Sequence, residues 1–208
     1  MGRPETAHSM PRHRRDTVVA GAEGNARLTA MTGAVLLLGF AVEGVTIVAV
    51  HRLLLLHFLV GLLLIGPVLL KVASTVYRFA RYYTGSLPYV RKGPPAPLLR
   101  LLGPFVILTS LAVLGTGVIL AVAGPANGPW LFLHKASFIL WFAVMTVHVL
   151  NYAPRLPRML SARSGHGAGA AAVAGSSARW LALAASIVVG VGVAAVTMQM
   201  SAKWGISF

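Results

Sequence analysis

The chain has 208 residues, of which 57% are apolar and only 11% charged, and its mean hydropathy is +0.78. A soluble domain carries about 25% charged residues, so this composition excludes one, and the apolar residues run in blocks too uniform for the alternating strands of an outer-membrane barrel. The formal net charge of +14 is spread over three separate clusters instead of one basic surface, which argues against a nucleic-acid partner.

Residues 1–27 contain Arg3, Arg12, Arg14, Arg15 and Arg27 and read as a disordered basic cytoplasmic arm. Arg14-Arg15 is followed by Asp16-Thr17-Val18, which does not support a twin-arginine export signal. The next apolar block is also longer than the 7–15 residues, roughly, of a signal-peptide core. Five blocks, 28–50, 53–76, 101–123, 131–152 and 180–201, are each long enough to cross a bilayer as a helix, which takes about 20 residues. The expected fold is all-α, a polytopic membrane bundle of five transmembrane helices. A four-helix core spans 28–152. A Gly/Ala/Ser-rich flexible linker spans 153–179. A fifth helix with a short outer tail spans 180–208 and, lacking His, Asp, Glu, Lys or Arg before Lys203 apart from its approach, looks separable from the core.

The connection at His51-Arg52 is so short that the first two blocks form a tight outer hairpin. Gly66-Pro67 predicts a kink in the second, and Thr84-Gly85 predicts its end. The segment from Arg91 to Pro97 reads as stiff and extended. Gly124-Pro125 ends the third block, and Trp130 stands where an interfacial anchor belongs. Arg78, Arg81, Arg91, Lys92 and Arg100 separate blocks two and three, and Arg155, Arg158, Arg163 and Arg179 separate blocks four and five. The other connections carry Arg52, Lys135 and Lys203. By the positive-inside rule the N-terminus faces the cytoplasm and the C-terminus the outside of a bacterial cytoplasmic membrane, and the excess charge also suits anionic lipid.

The chain has no cysteine, which removes disulfides, iron–sulfur clusters, thiolate ligation and covalent haem attachment. No Gly-rich dinucleotide fingerprint follows a strand. What remains is histidine. His134 and His148 lie 14 residues apart on one block, and His57 lies 14 residues before Lys71 on another. On a helix that interval keeps both residues on one face, separated by about 21 Å along the axis. Both blocks run in the same direction, so His57 and His134 share an outer depth, and Lys71 and His148 share an inner one.

Imidazoles at membrane depth are costly and mark functional sites, and two facing imidazoles are what a six-coordinate b-type haem needs. His57 and His134 are the candidate axial ligands of an outer haem b. Gly61, with Gly115 and Gly117, would admit a porphyrin edge, and Arg52 and Lys135 are candidate partners for propionates. His148 is a candidate ligand of a second, inner haem, with Lys71, another residue or an open position opposite it. The alternatives are that the histidines are interhelical hydrogen-bonders and that Arg52, Lys135 and Lys71 snorkel to the headgroups. Trp141, midway between His134 and His148, is either core or a spacer between two haems, and Met145 has the same ambiguity. Glu43 is either a proton acceptor coupled to quinol or a partner of His51 or Arg52 across the hairpin. His51 reads as a loop histidine, and His8, His13 and His166 receive no role.

The segments from His57 through Gly66-Pro67 to Lys71, from Tyr77 to Gly85, and Leu133-His134-Lys135-Ala136-Ser137 through Trp141-Phe142 with His148 resemble small actinobacterial membrane proteins. Those are similar in turn to four-helix b-type cytochromes and ferric-reductase-like membrane domains. The resemblance covers roughly residues 30–152. It implies haem b and electron transfer between a quinone or another membrane donor and a redox partner protein, the chain being the haem subunit of an oxidoreductase. The di-haem pattern has four histidines on two helices, and Lys71 stands at the fourth position. Two further classes stay open: a haem-free structural or transporter-associated membrane subunit, and a transition-metal transporter using His57, His134 and Glu43.

Overall fold

The computed structural model describes residues 12–93, 97–157, 176–199 and 204–205. Among these the chain is helical, without strands. The helices are α1 (Arg12–Val48), α2 (Val50–Tyr83), α3 (Leu87–Arg91), α4 (Pro97–Ala123), α5 (Gly128–Tyr152) and α6 (Ser176–Met198). A 3₁₀ turn, Ala153–Arg155, follows α5. Five of the helices are long and apolar enough to cross a membrane: Gly21–Val48, Val50–Tyr83, Arg100–Ala123, Gly128–Tyr152 and Ser176–Thr197. The protein is a multi-pass membrane bundle, and large apolar side chains such as Leu38, Leu101, Phe132, Ile139 and Leu150 project outward, where lipid covers them.

A single residue, Ala49, joins α1 to α2, and Leu53 breaks the helical angles just beyond it (φ −113°, ψ 21°). The Arg52 and Leu53 amides both donate to the Ala49 carbonyl, each at 2.9 Å. Helical angles then continue through Gly66-Pro67, so the irregularity of α2 sits at its hairpin end and not at its proline. The helix stops where expected: Gly85 takes φ +76°, and the Ser86 amide returns to the Arg81 carbonyl at 3.0 Å. Beyond it the chain makes α3, with Pro88 in its first turn and Tyr89 buried against Tyr77. The stretch read as extended thus starts later, and residues 94–96 lie outside the described residues.

Helix α1 begins at Arg12, inside the segment expected to be disordered. Tertiary contacts hold the part from Glu23 onward: Asn25 Nδ2 donates to the Ser74 carbonyl at 3.1 Å, and Thr29 and Ser74 share a hydroxyl bond of 3.0 Å. Lys92 pairs with Glu23 at 2.7 Å. Residues 1–11 of that arm, and 158–175 of the expected linker, lie outside the described residues.

Helix α2 is the centre of the packing. It lies along both α1 and α6 and crosses α4 more briefly, while α5 follows α4 and reaches α1 and α2 chiefly through side chains. Leu36, Leu64 and Val68 are buried where α1 meets α2, with Phe40 and Leu114 against them. Helix α6 packs closely on α2. A Cβ on Gly66 would run into the Ser186 carbonyl, and one on Gly190 into the Leu63 carbonyl, so the two backbones touch through paired glycines, the close approach that small residues permit between membrane helices. Trp204 adds a tie at the far end, donating to the Ala121 carbonyl at 3.3 Å and stacking edge-on against Phe58.

Candidate functional site

The α1–α2 and α4–α5 turns lie at one end of the bundle, called here the hairpin end. The opposite, basic end carries α3 and the arginine-rich connections. One turn or two into the bundle from the hairpin end, α2 and α5 direct His57 and His134 toward each other. Their ring centres are 6.4 Å apart with planes at 67°.

Each ring is held at Nδ1 by the helix next to its own. Glu43 on α1 brings Oε1 to 2.9 Å from His57 Nδ1. The Thr46 hydroxyl, fully buried, lies 3.1 Å from the same nitrogen and donates to the Glu43 carbonyl at 2.6 Å. On α4 the Thr116 hydroxyl donates to the Ala112 carbonyl at 2.7 Å and stands 3.3 Å from His134 Nδ1. Ser137 lies 3.0 Å from Thr116 Oγ1. A carboxylate only accepts, so His57 donates from Nδ1 to Glu43, and a neutral ring then keeps its lone pair on Nε2. Thr116 Oγ1 also lies 3.1 Å from the Val113 carbonyl, and as a hydroxyl it can accept from His134 Nδ1 or donate to it. Gly117 permits this arrangement on α4, since a Cβ there would stand 3.0 Å from His134 Cε1.

The other candidate residues are distributed differently. Gly61 faces Glu43, and a Cβ there would lie 3.1 Å from Oε1. Its missing side chain therefore admits the carboxylate, where a porphyrin edge was expected. Gly115 has open space beside it. Arg52 lines a shallow outward groove with Leu53, Leu55, Leu56 and Leu59. Leu59 is about 200° around the helix from His57, so Arg52 lies away from the paired rings. Lys135 is exposed, one position after His134, and His51 is exposed at the hairpin turn. Glu43 pairs with His57, a partner not among those expected for it.

At the basic end, the Lys71 amine turns into α1. It donates to the Thr29 carbonyl and occupies the space left by Gly33, where a Cβ would lie 2.9 Å from Nζ. His148 packs on Tyr152 of its own helix, ring centres 4.7 Å apart. Between the two ends Trp141 is buried, its Nε1 donating to Ser110 Oγ at 3.0 Å and its ring 4.7 Å from that of Phe40. Met145 is half-buried.

Sequence reasoning missed Thr46, Thr116 and Ser110. Each is a hydroxyl on the bundle side of its helix, and the only advance signal was position: Thr46 follows Glu43 by three residues, and Thr116 lies between Gly115 and Gly117. Among the described residues no three His, Asp or Glu side chains are gathered closely enough to hold a metal ion, which removes the support for a metal path through His57, His134 and Glu43. No family model matches the chain, and no curated protein or solved structure matches it either.

Proposed function

We propose that this protein is a membrane b-type cytochrome that holds one haem b between His57 and His134. The observation that carries the reading is the separation of those two rings. Two imidazoles bound to one iron at about 2 Å each place their ring centres on the order of 6 Å apart, and the observed 6.4 Å meets that requirement. Metal-binding histidines characteristically donate their other ring N–H to a carboxylate, hydroxyl or carbonyl, the part taken here by Glu43 and Thr116. Helices α2 and α5 do not pack closely against each other, which leaves the width between them to side chains, a separation a porphyrin also needs. Lys135 is the cation retained for a propionate.

When bound, the haem supplies one-electron transfer. The chain's own residues position it: α1 and α4 fix the two imidazoles, and the Phe40–Trp141 pair closes the site toward the basic end. In the expected orientation the site lies in the outer half of a bacterial cytoplasmic membrane, passing electrons from a quinol or another membrane donor to an outer redox partner. A second haem is not part of the proposal: Lys71 is bonded to α1 and His148 packs on Tyr152 of its own helix.

Absorbance of the purified protein tests the reading. A Soret band and a reduced α-band are expected in the wild type and lost in His57→Ala and His134→Ala. A colourless wild type that keeps its helical fold would favour the second reading, a haem-free structural or transporter-associated subunit whose histidines join helices. That reading draws on the absence, among the described residues, of any buried side-chain nitrogen or oxygen without a partner.

A further inference from the structure

We infer that Glu43 sets the reduction potential of the haem through His57, making the two axial imidazoles electronically unequal. This rests on the haem assignment just proposed. The four acidic residues of the chain are Glu5, Asp16, Glu23 and Glu43, and Glu43 alone stands within the apolar part of a spanning helix. A carboxylate there is costly unless it has a partner. Its partner is the Nδ1 of one proposed ligand at 2.9 Å, with the two side chains only 14% and 21% exposed.

The carboxylate is held in place from two further sides. Thr46 Oγ1 lies 3.3 Å from Oε2, and Gly61 leaves room for Oε1 that a side chain would take. A negative charge accepting the Nδ1 proton gives the His57 ring imidazolate character and makes Nε2 more basic. The partners of His134 are neutral, the Thr116 hydroxyl at the longer distance of 3.3 Å and the Val113 backbone. A more basic ligand stabilises ferric over ferrous iron, so Glu43 lowers the potential. It is a positioning residue and does not touch the iron.

Glu43→Gln keeps the shape and a hydrogen-bond acceptor but removes the charge. Outer partners of metal-bound histidine are worth about 10–100-fold in metal affinity. A tenfold loss of ferric preference raises a one-electron potential by about 59 mV. The test is a redox titration of the purified haem-loaded protein followed by its α-band, with EPR of the ferric state. The expected result is a higher midpoint in Glu43→Gln with a changed g-anisotropy, and a much smaller change in Thr116→Val. If Glu43→Gln does not fold, Glu43→Asp, which withdraws the charge by one methylene, should shift the midpoint the same way by less. Haem-loaded variants with the wild-type midpoint, or equal shifts in Glu43→Gln and Thr116→Val, overturn the inference and leave the haem assignment standing. A wild type that takes up no haem overturns both.

Discussion

At the hairpin end, His57 and His134 face each other from α2 and α5, each tied at Nδ1 to the adjacent helix. At the basic end, the same two helices carry Lys71 and His148 at the matching interval, yet Lys71 turns into α1 and His148 lies along Tyr152. Equal spacing in sequence thus yields a pair at one end and two separately engaged groups at the other. The difference comes from the first helix. Glu43 and Thr46 hold His57 at Nδ1, whereas the Thr29 carbonyl accepts from Lys71 in the space that Gly33 leaves. Spacing places two residues at one depth, and their neighbours on a third helix decide whether they meet.

The largest effect expected from this contrast is in haem content. His57→Ala should lose the reduced α-band entirely, while His148→Ala and Lys71→Met should keep it at wild-type stoichiometry by pyridine haemochrome assay. Loss of half the haem in His148→Ala would restore the second site at the basic end. A smaller effect is expected at the divide between the ends. Ser110→Ala leaves the buried Trp141 Nε1 without its acceptor, at a cost of about 1–3 kcal/mol, read as a lower unfolding midpoint in detergent.

Within the basic end, Thr29→Val removes the hydroxyl shared with Ser74. Interhelical bonds of this kind average about 0.6 kcal/mol, so a shift of that order in the same assay is expected, without change in the haem spectrum. The smallest change is expected from Lys92→Ala. Its pair with Glu23 is largely exposed (33% and 50%), and such pairs contribute about 0–1 kcal/mol, so the unfolding midpoint should barely move and should be insensitive to salt in the variant.

The five spans were legible because a bilayer demands long apolar runs, and blocks such as 101–123 match Arg100–Ala123 nearly to the residue. The depth match of His57 and His134 was legible too, since it follows from helix rise and alternating direction. Three things were not. The start of α1 at Arg12 has a polar sequence, and part of its support comes from Ser74 and Lys92, far away in the chain. Helix α3 is five residues between two glycines, too short for any periodicity. The docking of α6 was hidden because a glycine announces a kink, a turn or a contact equally well. Gly66-Pro67 suggested the first, and only the position of Gly190 on another helix reveals the third. The Nδ1 partners were obscured for a related reason: a threonine in a membrane helix can satisfy itself on its own backbone, as Thr116 does at Ala112, so its second bond leaves no trace in the sequence.

The glycine contact between α2 and α6 also imposes an order on assembly. Gly66 leaves the ribosome well before Gly190, and at about 5–20 residues per second the delay is roughly ten seconds. Until then the flank of the helix bearing His57 lacks the span that packs on it through Gly190. A message cut short ahead of Ser176 would therefore release a chain with every proposed ligand present and its ligand-bearing helix open along one side.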